Sequence, residues 1–587
     1  MLTAGVKASH DGGVALIDGD RLVFSVEVEK LDNGPRYAKL RDLDQVSEIL
    51  RGQGVDPKDV DRFVVDGWWP ERNAEHPGVA TGRGGEPFFI PLAPYADGAA
   101  NTDPLHRYTF SSHHFNSRRT GYSSYHHVSG HALAAYCTSP FAQNGEEALV
   151  LVWDGGTSPR LYQVAPGPRT LVPLGPLFPM TGDIFTTFSS KFDPFRRMPG
   201  ASGTEAEHLL AVAGKAMAYA ALGSVSSSAR PHFDRLFAGF AKIPEFAESP
   251  PAKLLAADRE PLIPGLANAD LVAAFQSSLG EQLLDRLTGT HRDALFPGLT
   301  NADLIASFQD HLGVLLIERL TEVVRTRFPG QSPALCIGGG CALNIKWNSA
   351  IRRSGLFRDV WVPPFPNDAG AAIGTAACEL FRTGGSPALD WNVYSGPGVF
   401  EGTLPEGWTV RPCDESGLAE LLHTEGEPVV VLSGRAELGP RALGNRSILA
   451  PAVDPGMKKR LNDMKQRAHY RPVAPLCLTH RASEVFDPGT PDRFMLFDHR
   501  MRPGWAERVP AVVHLDGSAR LQTIDASADV AAARILVAYE RISGIPVLCN
   551  TSANLNGSGF FPDVASAARW GGARYIWSDG RLYTHSR

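Results

Sequence analysis

The segment SSYHHVSGHALAAY, residues 123–136, places His127 and His131 four positions apart, ahead of small helix-forming side chains. Such a pair shares one helical face, where two imidazoles can chelate one transition-metal ion. Two hydrogen-bonded histidines near a surface would show the same spacing, so carboxylates from elsewhere in the chain must decide between the readings. His126 is the extra histidine, either packed or beside the site.

A second concentration of chemistry lies in SGRAELGPRALGNRSILAPAVDPGMKKRLNDMKQRAHYRPVAP, residues 433–475. Arg435, Arg441, Arg446, Lys465, Arg467 and Arg471 fall there among glycines, prolines and Ser447, without the spacing of an amphipathic helix. Guanidinium forks beside exposed backbone amides suit phosphate and carboxylate oxygens. A solvated basic face is the alternative, and the tight glycine spacing favours anion binding over it. A third stretch, PALCIGGGCALNIKWNSAI, reads as strand, loop and helix. Its Gly338, Gly339 and Gly340 would let a ligand approach the backbone at a helix N-terminus, though a tight turn needs the same residues. Cys336 and Cys341 in that turn suit it by size. Asp368, in VWVPPFPNDAGAAIGTAACEL, stands at a strand end before a helix of small residues.

The elements that position these residues are legible as a pattern that recurs. LTAGVKASHDGGVALIDGDRLVFSVEVEKL reads as a strand, a polar turn, then two strands joined at Asp18-Gly19-Asp20. EALVLVWDGGTSPRLYQVAP gives again a strand, an Asp-Gly-Gly turn and a strand. Two such copies with helices between are how sugar kinases and actin-like ATPases build facing lobes, an analogy of fold that fixes no chemistry. A duplication also joins residues 265–287 to 298–320, whose apolar spacing (Leu304, Ile305, Phe308, Leu312, Leu315, Leu316, Leu320) predicts an amphipathic packing helix. Glycine and proline thicken near residues 383–403, which predicts an α/β chain of two parts: a first domain over 1–385, a linker over 386–403 and a second domain over 404–587.

Composition sets the bounds. A chain of 587 residues needs more than one core. Its net charge of −6, without a long basic block, speaks against a nucleic-acid partner. The start MLTAGVKASHDGG lacks an apolar signal core and no run reaches the ~18 apolar residues that would span a bilayer, so no membrane partner and a cytoplasmic location are expected. Seven cysteines without a CxxC pair suit reduced thiols.

The runs GRAELGPRALGNRSIL, LDGSARLQT and VLCNTSANLNG, with SHDGGVAL near the start, resemble the O-carbamoyltransferases of antibiotic and nodulation-factor biosynthesis over nearly the whole chain. The resemblance implies an actin-like, two-lobed transfer domain, similar to the enzyme that makes threonylcarbamoyladenosine in tRNA, fused to a YrdC-like α/β domain. The second domain of that family turns carbamoyl phosphate and ATP (with Mg2+) into carbamoyladenylate, and the first passes the carbamoyl group to an acceptor hydroxyl. Carried over by motif, the metal ligands are His127, His131, Asp154 in WDGG and Asp368 in PNDAG, around Fe2+ or a similar divalent ion. His10 in ASHDGG matches the histidine that takes the acceptor's proton. Gly339, Gly340, Asn344 and Lys215 match adenylate-binding elements. Lys465-Gln466-Arg467 and Ser552-Ala553-Asn554 match the signature of the second domain, with Arg441, Arg446, Ser447, Arg471, Arg520 and Asn550 completing its carbamoyl phosphate and ATP site.

The motif HVSGH is closer to the tRNA enzyme than to the usual carbamoyltransferase spelling, and NTSANLNGSGFFPD lacks the glutamate that often follows that glycine. A tRNA-modifying enzyme would share both folds, but the acidic balance counts against RNA. A hydrogenase-maturation enzyme would add CxxC fingers, and a non-enzymatic actin-like module would leave the arginine-rich domain without a purpose. The expected partner is therefore a small-molecule hydroxyl, on a macrolide or polyketide, a sugar or an aminoglycoside, with a homodimer as a further expectation.

Overall fold

The computed structural model of the protein describes residues 1–69, 78–83, 86–97, 103–112, 115, 120–178, 180–201, 204–241, 292–384, 386–400 and 402–586. The architecture is mixed α/β, as the sequence predicts, and it rests on three main sheets.

The first sheet begins as the hairpin pattern requires. Leu2–Lys7 pairs antiparallel with Gly13–Asp18, which pairs antiparallel with Arg21–Glu27 through a turn where Gly19 takes a positive φ. On the other side of Leu2–Lys7 come Arg62–Asp66 and Thr120–Tyr125, both parallel to it, and then an antiparallel edge, Tyr108–Ser112. The second sheet repeats this plan. Ala148–Val152, Arg160–Ala165 and Thr170–Pro176 form the antiparallel meander, and Ala334–Gly338 and Asp359–Trp361 extend it in parallel. The two lobes therefore share strand order and strand direction, which is what the recurring strand, glycine turn, strand pattern foreshadowed.

Two helices fill the space between these sheets. His127–Cys137 follows the strand Thr120–Tyr125 and packs on the second sheet, while Ala371–Thr383 packs on the first. Every residue of the former is buried, the polar His127, Ser129 and His131 included. The helices touch at two glycines: a Cβ on Gly374 would lie 2.1 Å from the carbonyl oxygen of Gly130. Likewise a Cβ on Gly5 would lie 1.9 Å from the carbonyl oxygen of Ala372, so the first strand also admits the helix only as glycine. The second copy of the duplicated segment lies in the helix Asn301–Arg327, opened by a reciprocal cap between Thr300 and Asp303 and burying Leu304, Ile305, Phe308, Leu312, Leu316 and Leu320. The first copy, 265–287, lies outside the described residues.

The third sheet has eight strands, in the order Trp408–Pro412, Arg581–His585, Tyr575–Ser578, Val429–Leu432, Arg446–Pro451, Val547–Ser552, Ala474–Leu478 and Gln522–Ile524. Helices Glu415–Glu425 and Ala531–Ser543 pack together beside it, and its core is separate from those of the lobes. Residues 386–400 are docked rather than free: the backbones of Asp390 and Arg21 form an isolated β-bridge, the Gly396 amide donates to Ala436 O, and the backbone of Phe400 forms a second β-bridge with Asp563. All seven cysteines are unpaired, and among the described residues no helix is long and apolar enough to cross a membrane.

Candidate active site

Parallel strands deliver their side chains at their carboxyl ends, and there the two lobes face each other. Lys7 ends the first strand, Asp66 the fourth, and His127 opens the helix after Thr120–Tyr125. From the second lobe come Asp154, just beyond Ala148–Val152, and Asp368, beyond Asp359–Trp361. One ligand-type atom from each of His127, His131, Asp154 and Asp368 lies within 4.8 Å of all the others, and all four residues are buried. His127 Nε2 and His131 Nε2 are 3.0 Å apart, and each stands 3.4 Å from Asp368 Oδ1 and 3.8 Å from an Asp154 oxygen.

The surroundings commit the outer atoms of these ligands. His127 Nδ1 is 2.7 Å from Asp66 Oδ2, which selects the tautomer that turns the Nε2 lone pair inward. Asp154 Oδ1 accepts from the Gly340 amide at 2.6 Å, and its Oδ2 accepts from the Tyr95 hydroxyl. Two imidazole nitrogens and two carboxylates converging in a buried space fit a divalent first-row ion better than they fit each other. Burial opposes ionisation of Asp368, but Lys7 and the histidines outweigh it and hold its carboxyl well below the usual range. Burial likewise opposes the charge of Lys7, and Asp368 and Asp66 outweigh it, so its pKa is raised.

His10 stands at the rim. Its side chain is 33% exposed, its Nδ1 lies 2.9 Å from Asp11 Oδ2 and its Nε2 is 3.6 Å from Asp368 Oδ2, so the ring reaches both the centre and solvent. Trp68 meets His10 and His127 edge to face, and the exposed Trp69 stacks on Tyr95 at 4.3 Å. His126 faces away, bonding Pro94 O and packing against Tyr108.

The glycine loop is built around Asp154 and its own helix. Gly339 has φ +85° and leaves no room for a Cβ, which would lie 2.4 Å from Trp153 O. Asn344 caps the helix Ile345–Arg353, its Oδ1 accepting from the Lys346 and Trp347 amides.

A second site opens between the lobes and the third sheet. Arg441, Arg467, Arg471 and Arg520 line a cleft of about 620 Å³ including its open mouth, closed on the other side by Gly214, Met217 and Ile345. Among the described residues the buried Nε atoms of Arg441 and Arg520 have no hydrogen-bond partner, which leaves donors for an anion. Lys465 Nζ donates to Ser552 Oγ at 2.7 Å and Asn554 Oδ1 at 2.6 Å, which unites the two signature motifs. Burial, and then the neighbouring Arg467, Arg471 and Arg36, push the Lys465 ammonium well below the ordinary lysine range. Lys215, half-buried on the helix Glu205–Tyr219, has its pKa lowered by burial and by Arg471.

Other expected residues support the cleft from behind. Arg446 is 1% exposed and gives its guanidinium to the carbonyls of Ser433, Asn445, Pro397 and Gly434. Ser447 Oγ accepts from the Gly444 amide, and Asn550 bonds Ala442 O and Gln522. Arg435 points outward to Gln53. The structure also gathers residues that sequence reasoning missed. Glu437 Oε1 accepts from the amides of Leu443, Asn445 and Arg446, while Lys30 donates to Glu437 O and Gly439 O from the first domain. Lys346 bridges to Asp498 and Asp516 across the cleft mouth. The loop bearing Arg36 docks on the third-sheet domain, with the Arg36 amide bonded to Gly557 O. Sequence reasoning also missed Lys7 and Asp66, each a charge at the carboxyl end of a strand, in LTAGVK and RFVVD, whose partners lie far along the chain.

Comparison with known proteins agrees with a chain built from these two sites. The family model described as "Carbamoyltransferase N-terminus" matches residues 3–378, and that described as "Carbamoyltransferase C-terminus" matches residues 419–573. The chain is similar to "Nodulation protein U" of Sinorhizobium fredii (strain NBRC 101917 / NGR234), 44% identical over 99% of each chain. It is also 44% identical to "Nodulation protein U" of Rhizobium tropici, over 100% of this chain and 96% of that one. With "3'-hydroxymethylcephem-O-carbamoyltransferase" of Streptomyces clavuligerus it shares 31% identity, over 97% of this chain and 96% of that one. Two matched halves that together span both clusters, and relatives aligned from end to end, place the chain in the carbamoyltransferase family.

Proposed function

We propose that the protein is an ATP-dependent O-carbamoyltransferase that works in two halves. The observation that carries this reading is the pairing, in one chain, of a cleft lined by Arg441, Arg467, Arg471 and Arg520, with the bonded Lys465, Ser552 and Asn554 buried in the same domain, and a buried His/Asp cluster flanked by an accessible histidine. The division at the linker 386–403, the actin-like reading of the lobes and the YrdC-like reading of the third-sheet domain belong to the same proposal. The shared strand order of the two lobes supports the actin-like reading.

In the cleft, carbamoyl phosphate, ATP and one water would give carbamoyladenylate, phosphate and pyrophosphate. Lys465, Arg467, Arg441, Arg471 and Arg520 would bind the anionic oxygens through charge-assisted hydrogen bonds, with Ser552 and Asn554 orienting the ammonium. In the lobes, His127, His131, Asp154 and Asp368 would hold Fe2+ or a similar divalent ion. Such an ion supplies Lewis acidity toward the carbamoyl carbonyl. Burial lowers the His10 pKa, but Asp368 and Asp11 outweigh burial and raise it, and the imidazole in its neutral form would take the proton of the acceptor hydroxyl as its oxygen bonds to the carbamoyl carbon and AMP leaves. Gly339, Gly340, Asn344 and Lys215 are the proposed contacts to the adenylate. Relatives named for nodulation and for carbamoylating a hydroxymethylcephem support a small-molecule hydroxyl as acceptor.

Incubation with carbamoyl phosphate, ATP and a panel of sugar, macrolide and aminoglycoside alcohols tests the reading. The expected result is pyrophosphate release and one alcohol gaining the mass of a carbamoyl group. Absence of both products across the panel would overturn it.

A further inference from the structure

Lys7 ends the first strand with 1% of its side chain exposed. Its ammonium lies 2.8 Å from Asp66 Oδ2 and 2.8 Å from Asp368 Oδ2, and 4.0 Å over the Trp68 ring. An ammonium is buried at this depth only when it is paired; His127 Nδ1 is 3.4 Å away, and the two carboxylates that pair the charge both act on the candidate metal cluster. Asp368 belongs to the cluster, and Asp66 holds His127 through Nδ1.

The placement divides the two oxygens of Asp368. Oδ1 faces His127 Nε2 and His131 Nε2, each at 3.4 Å, while Oδ2 forms an ion pair with Lys7 at 2.8 Å, with His10 Nε2 farther off at 3.6 Å. A carboxylate beside a divalent ion can bind through one oxygen or through both. Asp154 is already restrained, since each of its oxygens accepts a protein hydrogen bond, from Gly340 and from Tyr95. Lys7 is the corresponding restraint on Asp368.

We propose that Lys7 is a positioning residue that limits Asp368 to one ligating oxygen and so keeps a coordination position free for substrate. The inference rests on the reading that the four-residue cluster holds a metal. With one atom from each of four side chains, a six-coordinate ion keeps about two positions for water or substrate. Without the ammonium, Asp368 Oδ2 would turn to the ion, and the cluster would bind metal more tightly while accepting substrate less well.

Mn2+ added to the metal-free full-length protein tests this, because water-proton relaxation counts the exchanging waters on each bound ion. Lys7→Met should bind Mn2+ more tightly than wild type, lose about half of the inner-sphere relaxation, one position in two, and lose carbamoyl transfer while pyrophosphate exchange persists. Lys7→Met combined with Asp368→Asn should regain the relaxation, since an amide offers one oxygen and the pair of changes preserves net charge. Should Lys7→Met not fold, Lys7→Gln, which keeps a donor toward Asp66, gives the same readout. Unchanged relaxation, or an affinity that falls about 10- to 100-fold as for an ordinary outer support of a metal ligand, would overturn the proposal. Wild-type protein that binds no Mn2+ would overturn the metal reading itself, a result distinct from either.

Discussion

His127 Nδ1 stands 2.7 Å from Asp66 Oδ2, across 61 residues of chain, while Nε2 of the same ring faces His131 at 3.0 Å. One carboxylate at a strand end thus sets both the tautomer and the direction of a proposed ligand. Asp66→Ala should weaken metal binding by about 10- to 100-fold, the usual effect of removing such a support. His127→Ala should abolish it, and elemental analysis with competition titration separates the two. Undiminished metal in His127→Ala would withdraw the assignment.

Lys465→Ala or Arg467→Ala should eliminate carbamoyl phosphate-dependent exchange of pyrophosphate into ATP and leave metal content intact, because Arg467 lines the cleft, Lys465 bonds Ser552 and Asn554, and neither cation belongs to the His/Asp cluster. Arg446→Ala should behave differently. Four backbone carbonyls would lose their buried donor, so a lowered melting temperature should accompany any loss of activity.

His10→Asn should slow transfer to the alcohol by about 10²- to 10⁴-fold, the typical contribution of a general base. Pyrophosphate release should continue, since His10 lies at the other centre. Equal loss of both half-reactions with a lowered melting temperature would mark the histidine as structural.

The pH dependence follows from the depressed pKa of Lys465. Affinity for carbamoyl phosphate, read by calorimetry, should be full at low pH and fall as pH rises through the lowered pKa, before the ordinary value of 10.5 is reached. Stability without ligand should move oppositely over that window: the folded ammonium sheds its proton while the unfolded one keeps it, so rising pH favours the fold. Lys465→Met should remove both trends.

What could be read from the sequence differs between the two sites for a physical reason. His127 and His131 were visible because helical spacing is local, and Asp154 and Asp368 because their motifs could be matched. Lys7 and Asp66 were not, since their meaning lies in a contact across 59 residues that only the parallel pairing of their strands creates. In the arginine-rich stretch, composition announced anion chemistry but could not tell a guanidinium facing a cleft, such as Arg441, from one satisfied by carbonyls, such as Arg446. The strands of the first hairpin were legible from alternation and the Asp18-Gly19-Asp20 turn. The docking of residues 386–400 was not, because glycine and proline signal a break in regular structure and say nothing of what the chain then lies against.

The contact of Gly130 with Gly374 makes the backbone itself the gauge of the His/Asp cluster. Gly130 lies one residue before His131, and Gly374 lies on the helix that follows Asp368, so the separation of proposed ligands from opposite lobes is set where no side chain intervenes. Side chains at the rim, such as the exposed Trp69, can then be exchanged without altering the spacing of the cluster, since that spacing is set by main chain against main chain.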